Sequence, residues 1–268
     1  MKTIARDKMY SILEEMFPIY FSRFFITDEE NDFIESLKAN ADLFVFSGIL
    51  RDFLLQYNKE EPRDFDFVIG RSNKKTDRII SKYLVRKTQF GGFKCRINNK
   101  DVDIWAIQDT WAIKKYRPFY LQNYLPLTSF FNITAAVYSL NDNKLYIHDS
   151  FKEFLEDKSH RKLDIVLEDN PFPALCIIKT LELMDKFNIP LSDPLKDYLI
   201  HYNKILTELD YQNTQLKHYG NIKYDYLTIS ERINSLYFRY RVADKLKSYN
   251  NQMLLFEKQE ITKSTVLM

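Results

Sequence analysis

The stretch that decides the fold is LFVFSGILRDFLLQYNKEEPRDFDFVI, residues 43–69. Its first four residues are apolar and predict a buried strand, and Ser47 with Gly48 predicts a tight turn after that strand. Residues 49–57 place apolar side chains on one helical face, whereas residues 64–69 alternate carboxylates with apolar side chains. Such alternation is typical of a half-buried strand. The order strand, helix, strand predicts a layered domain of mixed α and β structure.

Two carboxylates mark the second of these strands. Asp64 and Asp66 are two residues apart, so their side chains lie on the same face of a strand. Neighbouring carboxylates repel each other unless a cation lies between them, and oxygen ligands of this kind suit Mg²⁺ or Mn²⁺. We therefore predict a metal site at these two residues. The alternative is an exposed strand face that carries two acids, which is the more common origin of an isolated acid pair.

A third candidate ligand comes from a later strand. The run DVDIW at residues 101–105 again places two carboxylates, Asp101 and Asp103, on one face of a predicted strand. If this strand lies beside the first acid strand, Asp103 completes a two-metal site for phosphoryl transfer or accepts a proton from the acceptor. We favour Asp103 over Asp101, which the sequence also allows as an acid at the edge of a hairpin.

The turn after the first strand is a candidate phosphate-binding site. The small residues Ser47 and Gly48 let a phosphate approach the backbone closely, and N–H groups at the start of the following helix can receive its negative charge. An ordinary strand-to-helix turn has the same composition, so the turn alone does not separate these two interpretations.

Together these segments resemble the head domain of the class II poly(A) polymerase and CCA-adding tRNA nucleotidyltransferase family, a branch of the polymerase-β-like nucleotidyltransferase superfamily. The family pattern is GG-x-x-RD-x-LL followed by DxD, and its order and spacing are kept. The resemblance implies a small mixed or antiparallel sheet flanked by helices, metal binding by the two strand acids, and triphosphate contact by the turn. The matching residues are Ser47, Gly48, Arg51, Asp52, Asp64 and Asp66.

The RD pair of that pattern, Arg51 and Asp52, has two interpretations. The resemblance places both residues among the candidate nucleotide-binding residues. From the residues alone, an arginine next to an aspartate on a helix is equally consistent with an ion pair on the helix surface.

The chain departs from the family pattern at positions that help to hold the sugar and read the base. Ser129 and Phe130 stand where the family has Arg and Asp in its RDFTINA segment. Phe172 stands where the EDxxR element of CCA-adding enzymes has its Arg. The matching turn and acid strand predict that the catalytic core is retained. The departures predict that the CCA-specific reading of the base is lost.

The chain is predicted to contain two domains, a nucleotidyltransferase head at residues 1–160 and a helical, neck-like domain at residues 161–268. Helical periodicity at 174–187, 193–206 and 229–249 supports the second domain. The predicted fold class is therefore α+β, with a small mixed or antiparallel sheet flanked by helices and followed by an all-helical C-terminal domain.

A basic segment follows the first acid strand. Residues 72–87 are predicted to be helical, and their cations could contact nucleic-acid phosphates. A solvated helix face is the more common origin of such a segment. The cations are Lys74, Lys75, Arg78, Lys82, Arg86 and Lys87.

The composition of the chain limits which partners and which cellular compartment are expected. The formal net charge of the 268 residues is +2, which argues against a strongly polyanion-binding protein as a whole. Two isolated cysteines, Cys95 and Cys176, fit a reducing compartment, and four scattered histidines argue against a structural zinc site. An apolar run of about 18 residues and a secretion signal are both absent from the sequence. We therefore expect a cytoplasmic protein without a membrane span.

The predicted function is transfer of a nucleoside monophosphate from a nucleoside triphosphate to an acceptor hydroxyl, with release of pyrophosphate and dependence on Mg²⁺ or Mn²⁺. Asp64, Asp66 and Asp103 are the predicted catalytic residues and metal ligands. An RNA or tRNA 3′ end, a small molecule and a protein side chain are all open as acceptors. The alternative is a non-catalytic nucleotide-binding, antitoxin or regulatory module with the same fold.

Overall fold

The chain forms two compact units, residues 1–169 and residues 170–268. The first unit contains a β-sheet with flanking helices, and the second is built from helices. The computed structural model describes residues 2–57, 62–88, 91–118, 121–236 and 238.

A seven-stranded mixed sheet forms the centre of the first unit. Its strands are β1 (Leu43–Phe46), β2 (Asp64–Ile69), β3 (Leu84–Lys87), β4 (Phe93–Ile97), β5 (Lys100–Ala106), β6 (Ala136–Ser139) and β7 (Lys144–Ile147). The strand order is β3-β4-β5-β2-β1-β6-β7. β2 and β5 pair in parallel, whereas β1 with β2, β1 with β6, β3 with β4, β4 with β5 and β6 with β7 pair antiparallel. The predicted α+β fold class with a mixed sheet is therefore confirmed.

Helices flank the sheet in the first unit and make up the second. Those of the first unit are α1 (Lys2–Phe21), α2 (Asp28–Lys38), α3 (Gly48–Leu54), α4 (Lys74–Ser81), α5 (Trp111–Tyr116), α6 (Leu121–Tyr124) and α7 (Asp149–Glu156). In the described part of the second unit, the helices are α8 (Pro173–Phe187), α9 (Asp193–Asn203), α10 (Glu208–Tyr219) and α11, over residues 226–236.

Aromatic side chains fill the space between one face of the sheet and the N-terminal segment. Phe65 and Phe67 of β2 lie with ring centroids 4.7 and 6.0 Å from that of Phe25. Phe21, at the end of α1, lies 6.1 Å from Phe67. All four rings are buried. Because successive side chains of a strand alternate between its faces, this packing turns the carboxylates of β2 toward the opposite face.

α2 begins with a capping box. Thr27 caps the helix, and the side chain of Glu30 completes a capping box with the Thr27 backbone. The Glu30 carboxylate is only 1% exposed and also accepts hydrogen bonds from Asn98, in the turn between β4 and β5, and from Lys100, the first residue of β5. One buried and fully paired carboxylate therefore joins the first turn of α2 to the β4–β5 hairpin.

The helix predicted at residues 72–87 is wrong in its second half. α4 ends at Ser81, and Leu84–Lys87 forms β3, a strand that pairs with β4. The charged residues of this segment have helical spacing, but helix propensity is a weak preference that strand pairing overrides. Tyr83, directly before β3, packs edge-on against the ring of Phe33 on α2, and this contact anchors the start of the strand.

The helix predicted at residues 49–57 is present as α3 but ends earlier. Its last residue is Leu54, and Gln56 has a φ of 55°, a left-handed conformation that ends the helical path. A short 3₁₀ turn at Asn132–Thr134 precedes β6.

The second unit differs from the prediction by one additional helix. α10 was not predicted because its sequence is largely polar, and its buried side chains are Tyr211 and Gln215. The helix predicted at residues 229–249 is helical over 229–236, and residue 237 and residues 239–249 lie outside the described part of the chain. None of the helices in the described residues is both long enough and apolar enough to cross a membrane.

Candidate active site

The pairing of β2 with β5 brings the acid-bearing strands together. In this parallel pair, Asp64 lies opposite Asp101 and Asp66 lies opposite Asp103. Directly opposed residues of neighbouring strands present their side chains on the same face, and the residues between these acids are buried on the other face. The structure therefore places all four acids on one face, with Asp103 nearest in register to Asp66.

The candidate phosphate turn leaves the sheet beside the same acids. Phe46, the last residue of β1, lies opposite Asp66 in the antiparallel β1–β2 pair. Ser47 follows with φ 62° and ψ −116°, and Gly48 begins α3. This is a conformation that glycine adopts readily and that strains a residue with a side chain. A strained turn is therefore held next to the carboxylates.

Asp66 is the most electrostatically perturbed of the acids. Burial, and then the negative charges of Asp64 and Asp103, raise the pKa of Asp66 to about 8. Its half-buried carboxylate has no hydrogen bond or ion pair with any residue that the structure describes. A half-buried and unpartnered carboxylate between two other acids is costly unless a cation joins it.

The other three acids each contact a basic side chain. Asp64 pairs with Arg63 at 2.5 Å and Asp103 with Lys94 at 2.9 Å. Further toward the hairpin, Arg96 lies 2.7 Å from Asp101. These pairs are partly exposed, so each contributes little to stability. They show that the negative charge of the site is only partly neutralised by the protein.

These basic partners are not among the site residues predicted from the sequence. Lys94 and Arg96 flank the buried Cys95 on β4, and that alternation is the available sequence signal that both cations share a face. The signal does not reveal which acids they meet, because their partners depend on the pairing of β4 with β5.

The oxygen donors of these acids fit a magnesium or manganese ion, although the described residues contain no preformed metal cage. In the described part of the chain, no group of three or more His, Cys, Asp or Glu side chains is arranged to hold a metal. Mg²⁺ is commonly bound by one or two carboxylates, with waters and substrate phosphates as its other ligands. The unpartnered Asp66 with Asp64 and Asp103 beside it offers such ligands, provided that the latter two turn away from Arg63 and Lys94.

Arg51 and Asp52 form an ion pair within α3. The guanidinium nitrogens Nε and Nη2 of Arg51 both lie 2.8 Å from Oδ1 of Asp52, whose side chain is almost fully buried. Burial, and then the Asp52 charge, raise the pKa of Tyr20 on α1. The guanidinium also lies next to Gly48, since Nη2 is 3.9 Å from the position that a Cβ there would take. The pair thus lies against the turn and is partly buried in the protein.

Two of the three positions that depart from the family pattern are buried and packed in the protein. Ser129 is buried, and its hydroxyl donates a hydrogen bond of 2.8 Å to the carbonyl oxygen of Thr134. Phe130 is buried next to Phe131, with ring centroids 4.7 Å apart. Phe172, in the helical unit, is 37% exposed. At these three positions the chain has a hydroxyl or an aromatic ring where the family has charged side chains.

An apolar cluster covers the same face of the sheet beyond the acids. Val68 of β2 and Phe44 of β1 pack with Ile113 of α5, and with Leu125 and Val137. This cluster closes the far end of the face. The acids, at the beginning of β2, are only half-buried and remain accessible to a ligand.

No protein-family model and no curated protein sequence matches this chain. Solved structures do match it. A CCA-adding enzyme with CTP is 14% identical with a TM-score of 0.55, and the match covers 84% of this chain and 54% of that chain. The Thermotoga maritima CCA-adding enzyme with tRNA is 16% identical with a TM-score of 0.52, covering 84% and 53%.

A third match has the same character. A tRNA nucleotidyltransferase with a primer tRNA and an incoming ATP analog is 19% identical with a TM-score of 0.51, covering 78% of this chain and 60% of that chain. The chain thus spans little more than half the length of the structures it matches. At these identities the likeness concerns the fold, and the chain shares its fold with tRNA nucleotidyltransferases.

Proposed function

We propose that this chain is a Mg²⁺- or Mn²⁺-dependent nucleotidyltransferase that transfers a nucleoside monophosphate to an acceptor hydroxyl, with an RNA 3′ end as the favoured acceptor. One observation carries the proposal. Asp66 lies opposite Asp103 and two residues from Asp64, at the point where the strained Ser47 turn leaves the sheet. The solved structures of this fold that contain CTP, an ATP analog or tRNA support the same assignment.

The three acids have distinct roles in this proposal. Asp64 and Asp66 hold the divalent ions, and Asp103 completes the ligand set or accepts the proton of the acceptor hydroxyl. The bound ions supply charge neutralisation to the phosphates and to the departing oxygen. Ser47 and Gly48 hold the triphosphate through close approach of their backbone, and Arg51 with its partner Asp52 supports that turn from α3.

The reaction balances without a further reactant. The acceptor oxygen forms a bond to the α-phosphorus, the bond from that phosphorus to the bridging oxygen breaks, and pyrophosphate leaves with the bond's electrons. The hydroxyl proton passes to a carboxylate or to solvent. The protein contributes position and charge, which a rigid sheet carrying acids on adjacent strands provides.

The direct test incubates the purified chain with each α-labelled nucleoside triphosphate, Mg²⁺ and total cellular RNA. We expect labelled RNA, and we expect Asp66→Asn to remove the label. Asp101→Asn is the matched control, because Asp101 lies on the same face and pairs with the exposed Arg96. The control variant is expected to retain transfer.

Absence of transfer to RNA, small molecules and protein under all metal conditions contradicts the proposal. Calorimetric binding of ATP that requires no metal and leads to no turnover identifies the alternative, a nucleotide-binding or regulatory module. If Asp101→Asn loses transfer and Asp103→Asn retains it, then Asp101 and not Asp103 is the third catalytic acid.

A further inference from the structure

A row of charged side chains crosses four strands on the acid face. Asp66 of β2 lies opposite Asp103 of β5, Asp103 lies opposite Lys94 of β4, and Lys94 lies opposite Arg86 of β3. The β3–β4 register shifts just before Arg86, and the regular pairing resumes there. Since adjacent strands are about 4.8 Å apart, the Cα of Arg86 lies about 14 Å from that of Asp66. The row changes from negative to positive toward the β3 edge.

The cations of this row face the acids and not the back of the sheet. Cys95, between Lys94 and Arg96, is buried, and its Sγ contacts the carbonyl oxygen of Ile80 on α4 at 3.9 Å. Alternation along β4 therefore turns Lys94 and Arg96 away from α4. The cations of α4, such as Arg78, belong to the opposite side of the sheet.

Among the described residues, no carboxylate pairs with Arg86. It is exposed and forms no ion pair or hydrogen bond with the residues that the structure describes. Lys94 and Arg96 are paired, but their side chains are 36% and 61% exposed. The β3–β4 edge of the acid face therefore presents an accessible positive surface, and we call Arg86, Lys94 and Arg96 the edge cations.

The edge cations and the strained turn lie on opposite sides of Asp66 in the sheet. The turn follows β1, next to β2 on one side, whereas the edge cations lie on β4 and β3, beyond β5 on the other side. If the turn holds the triphosphate, the edge cations are left for the second substrate. Their charge then matches a negatively charged chain and not a neutral small molecule.

We infer that the edge cations bind the phosphodiester backbone of a single-stranded nucleic-acid acceptor and direct its 3′ end toward Asp103. This inference rests on the proposed function, because it places the acceptor at the same acids. Contacts to phosphates position a strand without reading its sequence, so the edge cations contribute affinity and orientation and no base specificity.

The test measures binding of a labelled single-stranded oligoribonucleotide to the whole chain by fluorescence anisotropy, without nucleoside triphosphate. We expect Arg86→Glu to weaken binding about tenfold. The matched control is Arg78→Glu, which makes the same change in net charge on α4 and is expected to alter binding less than about twofold. Arg86→Gln should lower the slope of log K against log salt by about 0.7, the value for one phosphate contact on a single strand.

The outcomes separate this inference from the proposed function. Equal weakening by both charge reversals, or no weakening by Arg86→Glu, overturns the inference even if Asp66→Asn abolishes transfer. Weakened ATP binding in Arg86→Glu with unchanged RNA binding also overturns it, because the cation then serves the triphosphate. RNA binding that depends on Arg86 without any nucleotidyl transfer supports the inference and contradicts the proposed function.

Discussion

Asp66 and Asp103 are register partners on the parallel strands β2 and β5, and their carboxylates lie on the same face of the sheet. Asp64 lies two residues away on that face. Lys94 accompanies Asp103 and Arg63 accompanies Asp64, while Asp66 has no partner among the described residues. Burial, and then the repulsion within this group, raise the pKa of Asp66, and both oppose folding at neutral pH in the absence of a cation.

Asp66→Asn should therefore stabilise the metal-free protein while it abolishes transfer. We expect a gain of about 1–2 kcal/mol in the free energy of unfolding at pH 7. This is less than the full conversion of the pKa shift at about 1.4 kcal/mol per unit, because Asp66 is only half-buried and solvent screens its charge. Urea unfolding with and without Mg²⁺ measures this free energy. Mg²⁺ should stabilise the unmodified chain more than the variant. Asp101→Asn, whose carboxylate pairs with Arg96, should bring no gain. Destabilisation by Asp66→Asn would contradict the crowding of acids.

Ser47→Gly should stabilise the fold. The φ of 62° and ψ of −116° at Ser47 cost a residue with a side chain about 1–3 kcal/mol, and the greater backbone entropy of glycine offsets about 0.5–1 kcal/mol of the relief. We expect a net gain of about 1 kcal/mol in chemical denaturation. Ser36→Gly, inside α2, is the control and should cost about 0.5 kcal/mol. Equal losses in both variants would show that the turn is not strained.

Glu30 should make stability depend on acid pH. Burial alone would raise its pKa from the ordinary 4.5, but hydrogen bonds from Lys100, from the Thr27 and Ile26 backbones and from Asn98 hold the pKa at about 2. A lowered carboxyl pKa contributes stability that is complete above the ordinary pKa and is lost as the pH falls toward the folded value.

Glu30→Gln is thus expected to cost about 2–3 kcal/mol at pH 7, and the difference from the unmodified chain should shrink between pH 5 and pH 2. Unfolding by urea across this pH range measures it. Glu35→Gln on the same helix is the control, because Glu35 is well exposed in its pair with Lys38. If the difference in free energy of unfolding between the variant and the unmodified chain does not vary with pH, the loss of stability comes from packing and not from the charge of Glu30.

The Arg51–Asp52 pair should behave as a partly buried ion pair. Arg51→Met leaves the Asp52 carboxylate without its guanidinium in a nearly buried position, and we expect a loss of about 3 kcal/mol. The double variant Arg51→Met with Asp52→Asn should recover part of that loss. Arg96→Met removes an exposed pair and should cost less than about 1 kcal/mol. Urea unfolding measures the stability of these variants. Similar small losses of stability in Arg51→Met and Arg96→Met would contradict a structural role for the Arg51–Asp52 pair.

The helices and strands near the site could largely be predicted from local pattern. The apolar run at β1, the alternation in β2 and the Thr27 cap of α2 each depend on residues close in sequence. β3 and α10 could not be predicted in this way. β3 is a charged segment whose extended form depends on its partner β4. α10 has local caps at Thr207 and Gly220, but its buried side chains, Tyr211 and Gln215, form no apolar stripe that would predict a helix.

The sequence by itself determined that Asp64 and Asp66 share a face, because the side chains of a strand alternate with a period of two whatever lies beside it. Only the tertiary structure decided that Asp103, and not Asp101, lies opposite Asp66, and that Lys94 and Arg86 continue the same row. Strand order and register join residues that are far apart in the chain. They are selected by the packing of the whole sheet against its helices, which no local pattern contains.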